Sequence, residues 1–140
     1  KTRTSHISWI PFKKMIEMYK QLELVMKQVN GNHFGFDGMC INEMAQYTEY
    51  PEGGFYDWHV DNDVNMQNEP PVRKISMTCL LSPESEFEGG DLELMAKGKI
   101  AKIKQGHAVF FASFIRHRVT PVIRGNRKSL VMWFGGTPFK

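Results

Sequence analysis

The hydrophobic period changes once along this chain, and that change limits the folds open to it. Between residues 11 and 29, Met15, Met18, Leu22, Val25, Met26 and Val29 recur in steps of three and four, the spacing of one helix face. Pro11 suits the first turn, and Asn30-Gly31 is a good stop. A short apolar run at 7–10 precedes this helix and reads as a lead strand. After Gly38 the helical period is gone. Short apolar runs alternate with Gly, Pro and Asn breaks, predicting strands at 39–47, 55–60, 74–81, 91–95, 99–103, 108–112, 117–122 and 129–134. Glu88-Gly89-Gly90-Asp91, Lys104-Gln105-Gly106 and Arg124-Gly125-Asn126 read as turns. About eight short strands in roughly a hundred residues mean a sandwich or barrel, not a parallel α/β sheet. The expected class is mainly β with an N-terminal helix. The longest break, 62–72, ends in Pro70-Pro71 and has the length of a lid or binding loop.

Composition narrows the class of function. At 140 residues, 1–140 is expected to be one domain with one real core. Its 41% hydrophobic and 24% charged residues exclude a disordered chain. Eighteen Lys and Arg against fifteen Asp and Glu leave +3, which permits an anionic partner without the clustered charge of a nucleic-acid binder. No apolar run approaches ~18 residues, so no membrane span is predicted. Two cysteines, Cys40 and Cys79, make no disulfide framework; they fit a reduced compartment and are expected in the core. The chain opens with Lys1 and shows no signal-peptide pattern, so a cytoplasmic location is expected, with a short N-terminal piece possible before it. A monomer is expected, the oligomeric state being left open.

The chemistry starts at His59-Val60-Asp61. Residues two apart on a strand share a face, so an imidazole and a carboxylate emerge together while Val60 turns away. His117 lies in a later strand and is the candidate third ligand. Two neutral imidazoles and one carboxylate on one face of a metal leave the opposite face open, the facial triad of non-haem Fe(II) oxygenases. His-x-Asp alone is only a tripeptide, and the context of His117 carries more.

That context is His117-Arg118-Val119-Thr120-Pro121-Val122, then Gly125 and, ten residues after the histidine, Arg127. Upstream stand Arg3-Thr4-Ser5 with Trp9, Tyr50-Pro51-Glu52-Gly53-Gly54 leading to His59, Leu80-Leu81-Ser82-Pro83, and Phe87-Glu88-Gly89-Gly90-Asp91-Leu92. In this order they resemble the 2-oxoglutarate/Fe(II)-dependent dioxygenases of the prolyl 4-hydroxylase-like group, PKHD-type hydroxylases among them. The resemblance implies a double-stranded β-helix (a cupin-like jelly roll). It implies His59, Asp61 and His117 as catalytic iron ligands and Arg127 as partner of the far carboxylate of 2-oxoglutarate. A planar guanidinium fork suits that carboxylate through two parallel hydrogen bonds. Arg124 is a rival with the wrong spacing, and Lys128 is expected on the opposite strand face.

The resemblance further implies Tyr50 as a hydroxyl donor to 2-oxoglutarate, with Tyr47 and Tyr56 as rivals. It matches Trp133 to a residue lining the cosubstrate pocket, a simple core role being the alternative. His6, His33 and His107 carry no motif, and Gly89 and Gly90 are expected to serve the backbone. The implied activity couples decarboxylation of 2-oxoglutarate to succinate with hydroxylation of a C–H bond. It uses Fe(II), 2-oxoglutarate and O2, with ascorbate as a candidate reductant. The implied partner is a peptide or protein, proline favoured; free amino acids and small metabolites are alternatives. Two other readings compete. One is an oxidative demethylase of nucleic acid, for which Arg118 and Arg124 have a suggestive spacing in the wrong place. The other is a non-catalytic cupin-like binding protein, which would normally lack part of the triad or the arginine. A zinc hydrolase would use His and Asp too, but has no purpose for Arg127.

Overall fold

Alternation along the strands sorts the side chains into two cores. A computed structural model describes residues 2–62, 71–95 and 99–139. Its strands are β1 (Arg3–Thr4), β2 (His6–Ile10), β3 (Ala45–Tyr50), β4 (Phe55–His59), β5 (Val72–Leu80), β6 (Phe87–Gly89), β7 (Leu92–Leu94), β8 (Lys99–Ala101), β9 (Ala108–Ala112), β10 (His117–Val119), β11 (Val122–Gly125) and β12 (Arg127–Gly136). One five-stranded sheet has the order β2-β3-β12-β5-β9; a second runs β1-β4-β10-β7-β8, and β11 pairs with β6. All the pairings are antiparallel.

The outer face of the first sheet carries α1 (Ile16–Val29). Leu130, Met132 and Phe134 of β12, with Ile75 and Met77 of β5, pack there against Tyr19 and Met26. Burying each such large side chain contributes about 1.5–3 kcal/mol. The intervening residues face the second sheet, where Tyr50, Leu92, Phe111, Val119 and Val122 form the other core. This inner face of β12 also takes Arg127, Ser129 and Trp133, and that of β5 takes Ser76 and Thr78.

Several boundaries differ from expectation, each for a local reason. The helix does not run from Pro11: a short turn at Phe12–Lys14 precedes it, and Met15 breaks the run at φ −138, ψ 49. The Tyr19 hydroxyl reaches back to the Ile10 carbonyl and accepts from the Ala45 amide, which ties helix to sheet. The α-helix itself ends at Val29 with Asn30 as its cap, as expected, but the chain does not straighten there. The Asn30 side chain holds both the amide and the carbonyl of Phe36 at 2.9 Å, so the chain widens through Asn30–Phe34 and ends at Gly35, φ 72. The strand expected at 39–47 is Ala45–Tyr50 instead, because continuous pairing with β2 and β12 begins only at Ala45 and Gln46. Before it there is one bridge, Cys40 to Gly135.

The run 117–122 splits into β10 and β11 at Thr120-Pro121, where proline has no amide to give a ladder. The turn expected at 88–91 is partly strand, β6, with Gly89 and Gly90 turning at positive φ as expected of backbone glycines. Cys40 and Cys79 are free thiols, but half-buried at the rim of the core rather than inside it. The lid expected at 62–72 falls largely on 63–70, outside the described residues.

Candidate active site

Strands of both sheets deliver the pieces of one pocket. The β4–β10 register sets His59 directly opposite His117, and their rings stand 4.1 Å apart. Asp61 follows just beyond the end of β4, at a bend where its amide donates to the Ser113 carbonyl at 2.9 Å. His59 Nε2 lies 3.5 Å from Asp61 Oδ1, and His117 Nε2 lies 3.4 Å from Asp61 Oδ2. The three ligand atoms fall within 4.8 Å of one another.

The other ring nitrogens are fixed by the backbone. His59 Nδ1 is 2.7 Å from the Asp57 carbonyl, and His117 Nδ1 is 2.9 Å from the Ile115 carbonyl. A carbonyl only accepts, so each Nδ1 carries a proton, and Nε2 is the atom each ring turns toward Asp61. A cation between the two Nε2 atoms and the carboxylate would be met by all three. The donor set, two imidazoles and one carboxylate from one side, therefore fits a divalent metal.

Electrostatics prepares the same state. Burial is the largest single influence on Asp61 and opposes its ionisation, yet His117, Ser76 and Trp133 together outweigh it and bring the pKa down to about 2. Burial, then the neighbouring His117, lowers the pKa of His59, partly offset by the Asp57 carbonyl. Both groups are thus held in their metal-binding protonation states. The Tyr56 ring stacks on His59 at 3.7 Å and 9°, and the Arg3 guanidinium lies 4.5 Å from the Tyr56 ring centre. Phe111 meets His117 edge-on at 4.7 Å.

Deeper in the same pocket lies Arg127, 3% exposed. Among the described residues its guanidinium has neither an ion pair nor a hydrogen bond; burial lowers its pKa, the Asp91 carboxylate offsets this only in part, and the Tyr50 ring sits 5.6 Å away. A desolvated cation of this kind calls for an anionic partner. Ser129 Oγ and Trp133 Nε1 line the pocket too and are buried without a hydrogen-bond partner. The Trp133 indole also favours the ionised Asp61, although its Nε1 makes no geometrically sound hydrogen bond. One guanidinium, one hydroxyl and one indole N–H thus await acceptors in one pocket, which fits a small carboxylate.

The expected residues come together here: His59, Asp61, His117, Arg127, Tyr50 and Trp133 all line this pocket. Of the rival tyrosines, Tyr56 is also in it, whereas Tyr47 donates to Glu49 at 2.7 Å. Arg124 projects outward, 3.9 Å from Glu88 and with its side chain 59% exposed, so it is no rival to Arg127. Arg118 is bound to Glu93 at 2.7 Å and stacks over Trp58. Sequence reasoning missed Ser129, although it stands two residues after Arg127 on the same strand face. It also missed Ser76 and Ser113.

The sequence and the fold have known counterparts. The model of the 2OG-Fe(II) oxygenase superfamily matches residues 45–135. A PKHD-type hydroxylase of Colwellia psychrerythraea is 39% identical over 123 residues, covering 84% of this chain and 55% of that protein. One from Synechococcus is 38% identical over 84 residues, 58% of this chain and 36% of that protein. The chain thus spans roughly a third to a half of the length of the curated relatives it matches. In fold it is similar to a viral collagen prolyl hydroxylase from Paramecium bursaria Chlorella virus 1, with TM-score 0.80 and 21% identity over 98% of this chain and 81% of that one. A Pseudomonas putida prolyl-4-hydroxylase gives 0.75 and 24%, over 96% and 73%. The two facing antiparallel sheets are those of the double-stranded β-helix, and with two-thirds of its length matched by the family model, this chain belongs to the 2OG-Fe(II) oxygenase superfamily.

Proposed function

We propose that this chain is an Fe(II)- and 2-oxoglutarate-dependent hydroxylase of peptide or protein substrates, with a prolyl residue as the favoured target. The observation that carries the reading is the convergence in one pocket of the His59, Asp61, His117 triad and the unpartnered guanidinium of Arg127. His59 and His117 would hold the metal through Nε2, and Asp61 through its ionised carboxylate. Arg127 would bind the far carboxylate of 2-oxoglutarate through its planar fork. Ser129 and Trp133 offer further donors, and Tyr50 stands beside Arg127. When bound, Fe(II) with O2 supplies the oxidising chemistry that joins decarboxylation of 2-oxoglutarate to hydroxylation of a C–H bond; the protein orients the reactants and excludes water. Ascorbate is the reductant proposed to keep the metal reduced.

The peptide substrate is supported by relatives rather than by the pocket. The viral fold neighbour is a collagen prolyl hydroxylase, and a Trichoplax adhaerens neighbour is a prolyl hydroxylase in complex with a peptide fragment. Among the described residues, no helix is long and apolar enough to cross a membrane. A cytoplasmic, monomeric enzyme of one domain is the simplest form of the proposal. The test is succinate formation from 2-oxoglutarate with Fe(II), alongside a mass-spectrometric screen of proline-rich peptides for gain of one oxygen atom. Metal-dependent succinate that disappears in His59→Ala is the expected result. Equal succinate from both proteins would overturn the oxygenase reading. Oxygen gain only on peptides without proline would overturn the prolyl target.

A further inference from the structure

Two buried serines outside the metal triad make contacts that its chemistry does not by itself require. Ser76 lies on the inner face of β5, and Ser113 immediately follows β9; they are 1% and 0% exposed. Ser76 Oγ is 2.6 Å from Asp61 Oδ2 and 2.9 Å from Ser113 Oγ. An ionised carboxylate only accepts, and a hydroxyl has one proton to give. Ser76 must therefore donate to Asp61, and Ser113 must donate to Ser76. The direction of the chain is fixed: Ser113 to Ser76 to Asp61.

Ser113 holds the same residue by a second route. Its carbonyl accepts from the amides of Asp61 at 2.9 Å and Asn62 at 3.2 Å, while its own amide donates to the Lys74 carbonyl at 2.9 Å. Asp61 is thus gripped at the backbone and at one carboxylate oxygen. This matters because Asp61 stands beyond the end of β4, where no ladder restrains it, and the terminal torsion of an aspartate is broad.

We propose that Ser113 and Ser76 form a hydroxyl relay that positions Asp61 as a one-oxygen metal ligand; this rests on the metal-site reading above. The relay occupies Oδ2 with a short, charge-assisted hydrogen bond. Both oxygens face a histidine, Oδ1 at 3.5 Å from His59 Nε2 and Oδ2 at 3.4 Å from His117 Nε2, but only Oδ2 has a lone pair committed to Ser76, which leaves Oδ1 as the oxygen offered to the metal. Both serines are positioning residues, since neither touches a reactant. Partners of this kind that orient a metal ligand typically govern about ten- to a hundredfold in metal affinity.

The test is titration of the metal-free full chain with Co(II), followed by its visible absorption, for wild type, Ser76→Ala, Ser76→Cys, Ser76→Thr and His59→Ala. Circular dichroism melting reports folding for each. The expected result is a loss of about tenfold or more in Co(II) affinity for Ser76→Ala and Ser76→Cys. The absorption band should shift as well, and Ser76→Thr, which keeps the donor, should restore both. If the alanine variant does not fold, the cysteine variant, which keeps the space filled, carries the comparison. Wild-type affinity in folded Ser76→Ala or Ser76→Cys would overturn the relay, and so would equal loss in Ser76→Thr, which would mark a packing effect. A wild type that binds Co(II) no better than His59→Ala would overturn the metal-site reading itself, a distinguishable failure.

Discussion

Arg127 stands directly opposite Tyr50 in the β3–β12 ladder, its guanidinium carbon 5.6 Å from the centre of the tyrosine ring. The pairing places the buried cation of the pocket against an aromatic face, with the Asp91 carboxylate near enough to act on it only through space. A charge so placed is costly in the empty protein and valuable in the filled one. Arg127→Met is accordingly expected to raise the melting temperature of the ligand-free chain, a gain of about 1 kcal/mol or more, because the burial of the charge outweighs its attraction to Asp91. The same change should raise the KM for 2-oxoglutarate about a hundredfold, the scale for losing a charge-assisted pair. Added 2-oxoglutarate should raise the melting temperature of the wild type but not of the variant. A variant that melts lower and still responds to 2-oxoglutarate would contradict both halves.

How much of this site could be read before folding depends on how each residue reaches it. Arg127 and Trp133, like His59 and His117, were matched by motif; alternation along β12 then puts Arg127 and Trp133 on one face, where Ser129 was open to the same argument, and the β4–β10 register sets the two histidines opposite each other. Asp61 reaches the expected place for a different reason: it lies past the strand end, held by Ser113 rather than by the pleat. Ser76 and Ser113 left no local signal. They meet only because β5 pairs with β9, a contact between segments far apart in sequence. The helix start was misplaced for a local reason, since Met15 breaks the run that the apolar spacing carries back to Pro11.

Acid should weaken the metal-free protein in two stages. The pKa of His59 is lowered from 6.5, so below that pH the unfolded chain takes up a proton that the folded one resists, and stability falls. Asp61 is lowered from 3.8 to about 2, so its contribution is complete above 3.8 and is lost as pH falls through 2. That second contribution is about 2 kcal/mol. Denaturant melts of wild type and Asp61→Asn from pH 7 to 2 check it: the gap between them should close in the acid range.

Tyr56 offers a way to separate metal support from substrate contact. Its ring covers one face of His59 at 3.7 Å, while its edge reaches the pocket. Tyr56→Phe keeps the stack and removes the hydroxyl, so Co(II) affinity should be unchanged; any loss in kcat/KM for peptide then belongs to the hydroxyl. Tyr56→Leu removes the stack, an interaction of about 0.5–1.5 kcal/mol, and should weaken Co(II) binding by less than about tenfold. Loss of metal binding in the phenylalanine variant would show that the hydroxyl, not the ring, supports His59.

Gly90 connects the β6–β7 turn to Arg127. Its φ is +61, and a Cβ built on it would lie 2.9 Å from Arg127 Cδ and 3.0 Å from Val122 Cγ2. Alanine there combines a left-handed backbone, costing about 1–2 kcal/mol, with pressure on the stem of Arg127. Gly106 provides the control: its φ is +79, but nothing stands within 4 Å of the built Cβ. Gly106→Ala should lose about 1 kcal/mol of stability and leave the KM for 2-oxoglutarate unchanged. Gly90→Ala should lose at least as much and also raise that KM, because the guanidinium is displaced along with its stem. Urea melts give the first quantity and succinate kinetics the second. Equal effects of the two substitutions on KM would mean that Gly90 serves only the turn.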